Sequence, residues 1–137
     1  MRIYLDANVL VSVLNKEYPA YMYNARILSL ADNRKYTLYT SAVCLAIAYY
    51  FSEKKHGSTV AKNKIALLLQ HITIAPCAHK EAQLAITNKT INDFEDGLQY
   101  YAALHTHCEV IITDNTKDFY FSTIPALQPE QFFNQHM

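Results

Sequence analysis

The chain has 137 residues, which suits one compact domain spanning residues 1–137, and 51% of them are hydrophobic, enough for a sizeable core. Twelve basic and twelve acidic residues give a formal net charge of zero, so no overall field draws the protein to nucleic acid. No apolar run reaches the roughly 18–20 residues that cross a bilayer, which argues against a membrane role. The three cysteines are far apart and lack zinc-site spacing, so we expect buried thiols in a reducing, cytoplasmic setting: Cys44, Cys77 and Cys108.

In the first half of the chain, hydrophobic spacing predicts alternating strands and helices. Ser41 is a suitable N-cap for the third predicted helix, and Pro19 suits the first turn of the second. In that second helix, one face is predicted from four residues spaced three apart: Met22, Ala25, Leu28 and Ala31. The predicted elements are a strand at 2–5, a helix at 8–16, a helix at 19–33, a strand at 36–39 and a helix at 43–55.

The second half continues the alternation, because a break at residues 56–58 starts another helix and Pro76 ends another strand. Strands separated by helices need crossover connections, so we expect an α/β fold with a mainly parallel sheet. The predicted elements are a helix at 59–70, a strand at 72–75, helices at 80–87 and 93–105, a strand at 109–113, a brief pairing at Leu127 and a short helix from Pro129.

Acidic residues occur at points that a parallel sheet brings together. Asp6 and Asp114 end two predicted strands, and Asp118 follows in the loop after the second of them. The helix at 93–105 leads into that strand, so its N-terminus is expected near the same carboxyl edge, where open α/β sheets form their sites. Its first turn carries three further acids: Asp93, Glu95 and Asp96.

Carboxylates that meet at one edge repel one another unless a cation lies among them. Mg²⁺ and Mn²⁺ prefer oxygen ligands and retain water positions, and such ions promote attack on phosphodiesters. The pattern therefore indicates a Mg²⁺ or Mn²⁺ site for phosphodiester hydrolysis.

Each acid also has a purely structural explanation, since negative charge in the first turn of a helix is favourable. We expect Asp93 to be the N-cap of its helix and Glu95 to face solvent, while Asp96 occupies a position like N3 in the same turn. Gly97 is expected to leave space beside Asp96 through which a substrate approaches.

Three segments resemble the signature blocks of the PIN domain family, most closely its small VapC-like toxin type: LDANVLVSVL, DFEDGLQYYAAL and IITDNTKDF. The resemblance covers nearly the full length. It implies a three-layer α/β/α sandwich with a short, mainly parallel central sheet. It also implies a metal-dependent ribonuclease that acts on RNA, an antitoxin partner that blocks the site, and a homodimer.

The resemblance also assigns roles to individual residues. The expected catalytic residues and metal ligands are Asp6, Asp96 and Asp118, with Asp93 as the alternative to Asp96. Asp114 is an extra acid beside them and an expected fourth metal ligand. The expected supporting residues are Asn8, Thr113 and Asn115.

One departure from the family pattern concerns the helix after the second strand, where PIN domains usually carry a Glu. The matching position here is Ala46 or Ile47, and the next acid is Glu53, roughly 9–10 Å further along a helix. We therefore expect weakened nuclease activity. The alternative function is a PIN-fold module that binds RNA or protein without cutting.

Residues 54–64 form the densest basic stretch of the chain. A weak nucleic-acid-binding role is predicted for Lys54, Lys55, Lys62 and Lys64, against a simpler role as a solvated corner between helices. A phosphatase-type or receiver-type domain is a remoter alternative, because no Lys directly closes the third or fourth strand.

Overall fold

Five short parallel strands form the central sheet, which a computed structural model describes over residues 1–137. Their spatial order is β3-β2-β1-β4-β5. The bounds are β1 (Arg2–Leu5), β2 (Thr37–Thr40), β3 (Ile72–Ile74), β4 (Val110–Ile112) and β5 (Ala126–Leu127). The predicted parallel α/β fold is confirmed, including the brief pairing at Leu127.

Seven helices flank this sheet and complete the three-layer arrangement. They are α1 (Ala7–Leu14), α2 (Ala20–Ser29), α3 (Ala42–His56), α4 (Ser58–Leu69), α5 (His79–Thr87), α6 (Phe94–His105) and α7 (Pro129–His136). Two 3₁₀ turns lie at Leu30–Asp32 and Thr116–Phe119. No helix combines the length and apolar character that crossing a membrane requires.

The core runs through the central strands. All three residues of β4 are buried, as are the last three of β1, because a parallel sheet is covered on both faces. The apolar side chains of these strands and their helices form one cluster of 26 buried residues. Helix α1 packs against α2 and α3, whereas α5 packs against α6.

The buried face of α2 differs from the prediction. Met22 is 64% exposed, and the buried residues of this helix are Asn24 and Ile27. Leu28 packs only partly against the core. The prediction failed because Asn24, which is fully buried, is polar and was not counted as part of an inward face.

Candidate active site

The carboxyl ends of β1 and β4 lie side by side, and this places Asp6 next to Thr113. Leu5 pairs with Ile112, and the Asp6 amide continues the ladder by donating to the Ile112 carbonyl at 3.0 Å. Asp6 is also the N-cap of α1, since its Oδ1 accepts from the Ala7 amide at 2.6 Å. The Asp6 side chain is therefore held at both oxygens, because the Thr113 hydroxyl donates to Oδ2 at 2.8 Å.

Asn8 and Asn115 hold the loop after β4 against the start of α1. The Thr113 hydroxyl accepts from the Asn115 amide at 3.0 Å and from Nδ2 of Asn8 at 3.4 Å. The Asp114 amide donates to Oδ1 of Asn8 at 3.3 Å. The three residues predicted to support the acids thus form one hydrogen-bond network directly beneath them.

Helix α6 brings further acids to the same edge. Asp93 is its N-cap, as predicted, and accepts from the Asp96 amide at 3.1 Å. Asp93 itself does not line the cavity that the other acids share, whereas Glu95, Asp96 and Gln99 do. This arrangement favours Asp96 over Asp93 as the family acid of α6.

The acids line a cavity of about 350 Å³ at this edge of the sheet. Half of the twelve acidic residues of the chain contribute to its wall: Asp6, Glu17, Glu95, Asp96, Asp114 and Asp118. No Lys, Arg or His lines it, and none of the six acids forms an ion pair. The chain has zero net charge, so this cavity carries a large local excess of negative charge.

This concentration changes the protonation of the central acids. Burial, followed by repulsion from Asp93, Asp118, Asp6 and Glu95, raises the pKa of Asp96 to about 7. Burial also raises the pKa of Asp6, although hydrogen bonds from Thr113, from Gln99 and from the Ala7 amide oppose that rise.

The pKa values of two further acids of the cavity, Asp114 and Glu95, are also raised. Burial raises the pKa of Asp114, with smaller contributions from Asp6 and Glu17, while a hydrogen bond from Asn24 opposes the rise. Partial desolvation and the charges of Asp93 and Asp6 raise the pKa of Glu95. The raised pKa values of Asp6, Asp96, Asp114 and Glu95 favour cation binding. A positive charge among these carboxylates would offset their mutual repulsion and lower their pKa values.

The donor set suits a hard divalent cation held mainly through water. The polar side chains that line the cavity are carboxylates, two amides and the Ser12 hydroxyl, with no thiol or imidazole, so the lining does not suit a zinc-thiolate site. No group of three or more acid, His or Cys side chains converges closely enough to hold an ion by itself. Mg²⁺ commonly uses one or two carboxylates and keeps several waters, so these residues fit that type of site.

Helix α3 forms the apolar wall of the cavity. It contributes Ile47 and Phe51, while Ala46 lies outside. Glu53, the next acid along this helix, does not line the cavity, and its carboxylate accepts from the Tyr49 hydroxyl at 2.9 Å. Helix α3 therefore contributes only the apolar side chains of Ile47 and Phe51 to the cavity wall, and no acid.

The prediction for Gly97 was wrong. A Cβ added there would lie 3.0 Å from Cβ of Ala85 and 3.2 Å from Cγ2 of Ile91. Gly97 is buried and faces α5, so it leaves no space for a substrate beside Asp96. Its lack of a side chain instead allows α5 and α6 to approach each other closely.

Two of the four lysines predicted to bind nucleic acid donate hydrogen bonds to backbone carbonyls. Lys55 Nζ donates to the Asn15 carbonyl at 2.5 Å, and Lys64 Nζ donates to the Leu14 carbonyl at 2.7 Å. Lys54 lies over the Tyr50 ring, 4.7 Å from its centroid, and Lys62 is exposed. None of the four lines the acidic cavity.

Sequence reasoning did not select several polar residues of the site. Gln99 is 1% exposed, lies one helical turn after Asp96 and has a buried amide oxygen without a hydrogen-bond partner. Asn24 is fully buried and donates to Ser12 Oγ at 2.6 Å and to Asp114 at 3.5 Å. The three-residue spacing from Asp96 could have identified Gln99, whereas no local signal links Asn24 to the acids.

Comparison with known proteins points to a single family. Ribonuclease VapC1 from Aquifex aeolicus (strain VF5) is 27% identical over 135 residues, which are 96% of this chain and 92% of that protein.

Two solved complexes have the same fold. One is the crystal structure of VapBC2 from Rickettsia felis bound to a DNA fragment from their promoter, with a TM-score of 0.70 and 22% identity over 93% of this chain and 98% of the other. The second is the 2.2 Å structure of VapBC-1 from nontypeable Haemophilus influenzae, with a TM-score of 0.70 and 20% identity over 95% of this chain and 99% of the other.

The sequence model of the PIN domain matches residues 2–117, a range that contains β1 to β4 and nearly all of the acidic cavity. Only Asp118 among the six acids lies outside it, by one residue. With a family match over most of its length and the corresponding fold, the chain belongs to the PIN domain family.

Proposed function

We propose that this protein is a Mg²⁺- or Mn²⁺-dependent endoribonuclease of the VapC type, acting as the toxin of a toxin–antitoxin pair in the cytoplasm. The observation that carries this proposal is the cavity with six acids and no basic side chain at the carboxyl edge of the sheet. The likeness to Ribonuclease VapC1 supports the choice of RNA as substrate.

In this proposal, Asp6, Asp96 and Asp118 would hold a hydrated ion, partly through its waters, and Asp114 would support them from the loop after β4. The bound ion would activate water and neutralise the charge that develops on the phosphodiester under attack. Thr113 and the Ala7 amide fix both oxygens of Asp6, so this carboxylate is oriented before any ligand arrives. Because burial and neighbouring acids raise the pKa of Asp96 to about 7, binding of a cation there would favour its ionised form.

Electrostatics also makes RNA binding conditional on the ion. Six carboxylates without a counterion repel a polyanionic backbone, and the basic stretch at residues 54–64 is not part of the cavity. A divalent cation reduces that repulsion where the phosphate must approach. We therefore expect RNA to enter this cavity only in the presence of Mg²⁺ or Mn²⁺.

The proposal is tested by incubating the protein with structured RNA in Mg²⁺, in Mn²⁺ and in EDTA. We expect cleavage in either metal, none in EDTA, and a loss of at least about 100-fold in Asp6→Asn and Asp118→Asn. An exposed acid outside the cavity provides the matched control, Glu53→Gln, which should cleave as the wild type does. Cleavage that survives in EDTA or in Asp6→Asn would contradict the proposal.

A partner protein is the second element of the proposal. The structural neighbours are VapBC complexes, which supports an antitoxin partner for this chain. A homodimer stays a prediction from the family resemblance. A segment that blocks this cavity must present positive charge, because every ionisable side chain in the wall is acidic. If a small reading frame lies directly upstream of this gene, coexpression of the two products, followed by size-exclusion chromatography with light scattering, tests the complex and the dimer together.

A second function is favoured by two observations: the α3 wall is apolar, and no three ligands converge on one point. In this alternative, the protein binds RNA or a protein partner without cutting. Retained RNA binding in Mg²⁺, with no products after long incubation, would support the binding module over the nuclease.

A further inference from the structure

The acidic cavity is asymmetric, because one wall has no carboxylate of its own. Helix α3 contributes only Ile47 and Phe51, and its nearest acid, Glu53, is bound to Tyr49 elsewhere on the helix. An ion among Asp6, Asp96 and Asp118 would face hydrocarbon on that side. Whether a carboxylate from another element covers this wall decides how completely the site can surround a cation.

Glu95 is the acid that lies against the α3 wall. It lines the acidic cavity together with Asp6 and Asp96, and it also lines a neighbouring cavity of about 490 Å³. The other residues of that neighbouring cavity all belong to α3: Ala46, Ile47, Tyr50 and Phe51. Glu95 is therefore the one charged residue at the junction between the apolar wall and the acids.

The Glu95 carboxylate is also free of structural contacts. It accepts no hydrogen bond and forms no ion pair; in this it resembles Glu17 and differs from Glu53, Glu81 and Glu109. Glu53 accepts from Tyr49, and Glu81 contacts both His105 and the Ala78 amide. The capping of α6 does not need Glu95 either, because Asp93 performs it.

We propose that Glu95 is a further metal-holding residue, which supplies from α6 the carboxylate that α3 does not provide. This inference rests on the proposed function, since it concerns the same cation. The first turn of α6, capped by Asp93, carries both Glu95 and Asp96, and both line the acidic cavity, so both carboxylates would be available to a cation there. A glutamate side chain is one methylene longer than that of an aspartate. The extra length suits Glu95, which lies on α6 and would complete a wall formed by α3.

The test is calorimetric titration of Mn²⁺ into the full chain at pH 7.5. We expect Glu95→Gln to weaken Mn²⁺ binding about tenfold or more, in the range seen when groups that support a metal site are lost. Glu53→Gln removes an acid outside the cavity and should bind as the wild type does. Asp93→Asn removes a charge two residues away but keeps a good cap, so its loss should be clearly smaller than that of Glu95→Gln.

Parallel titration of Asp6→Asn separates this inference from the proposed function. If Asp6→Asn loses Mn²⁺ binding and Glu95→Gln binds as the wild type does, the role of Glu95 is overturned while the metal site stands. If Glu95→Gln loses Mn²⁺ but the wild type cleaves no RNA, the inference holds and the nuclease proposal fails. A wild type that binds no Mn²⁺ overturns both.

Discussion

The Thr113 hydroxyl donates a 2.8 Å hydrogen bond to Oδ2 of Asp6, across the boundary between the two central strands. Asp6 is only 7% exposed and Thr113 is fully buried, so the contact is largely shielded from solvent. The same hydroxyl oxygen accepts from the Asn115 amide, which fixes the loop after β4. One buried hydroxyl thus orients both the first acid and the loop that carries Asp114 and Asp118.

Replacing Thr113 by Val removes this hydroxyl and should therefore change both the pKa of Asp6 and the stability of the fold. The hydrogen bond from Thr113 lowers the pKa of Asp6, so its loss should raise that pKa further. We also expect a destabilisation of about 1–3 kcal/mol near neutral pH, because the buried Asp6 carboxylate loses a donor and the Asn115 amide loses its acceptor. Carboxyl ¹³C chemical shifts measured across a pH series, together with urea unfolding, check both effects.

Thr113→Ser is the control for that change, because it keeps the hydroxyl and removes only a methyl group. It should preserve the pKa of Asp6 and lose stability only through the small cavity. An Asp6 carboxyl that titrates identically in the Val variant and in the wild type would show that the hydroxyl has no electrostatic role.

Asp96 should make the stability of the metal-free protein depend on pH. Its pKa is about 7 in the folded protein, against an ordinary 3.8. Between these values the folded state holds a proton that the unfolded chain has released. The contribution of Asp96 to stability is therefore greatest below pH 4 and is lost as pH rises through 7.

Asp96→Asn removes this dependence, since an amide cannot ionise. In EDTA, we expect the Tm of the variant to exceed that of the wild type by an amount that is small near pH 4 and widens to a few degrees by pH 8. Thermal unfolding followed by circular dichroism across this range measures the difference. A Tm difference that stays constant with pH would show that Asp96 titrates normally.

The sheet and the clustering of the acids were predictable because they depend on local patterns. The buried runs of β1 and β4 are apolar and short, and each is followed by an Asp. Parallel topology then brings Asp6 and Asp114 to one edge whatever the details of packing. Capping by Asp93 was likewise predictable, because an N-cap depends on only a few adjacent residues.

Other features depend on packing between distant helices and were not predictable from one sequence. Glu95 is exposed to solvent, as predicted, but it also lines the acidic cavity with Ile47 and Phe51 of α3, which depends on how the helices pack. Gly97 was predicted to leave open space for a substrate, but Ala85 packs directly against it, so the missing side chain serves helix packing instead. Asn24 supports Asp114 from a helix 90 residues away in the chain, which no local pattern indicates.

Gly97→Ala should destabilise the protein, although alanine is the better helix former by about 1 kcal/mol. The new methyl would meet Cβ of Ala85 at 3.0 Å and Cα at 3.4 Å, so α5 itself must move. Overpacking of this kind typically costs about 1–3 kcal/mol, and we expect a net loss of about 1 kcal/mol. Urea unfolding measures it.

The matched change on the opposite helix is Ala85→Gly, which removes the methyl that Gly97→Ala would strike. In this background, Gly97→Ala should cost less than it does alone, giving a favourable coupling energy of at least about 0.5 kcal/mol. Additive effects would mean that the two helices separate easily, and that the close approach is not tightly held.

Lys55 and Lys64 should contribute to stability through the end of α1. Their ammonium groups donate to the Asn15 and Leu14 carbonyls, which lie at the C-terminus of that helix. Both contacts satisfy carbonyls that the helix leaves free and place positive charge at the negative end of its dipole. Lys55→Ala and Lys64→Ala should each cost about 1 kcal/mol in urea unfolding.

Lys62→Ala is the matched control, because Lys62 is exposed on the same helix as Lys64 and makes no hydrogen bond to the rest of the chain. It should leave the unfolding free energy within about 0.5 kcal/mol of the wild type.

RNA binding, measured on the same variants, separates two roles of the basic stretch. If Lys62→Ala weakens RNA binding while Lys64→Ala mainly lowers stability, the phosphate contacts come from the lysines that α1 leaves free. If all three variants bind RNA equally well, this corner does not touch the substrate.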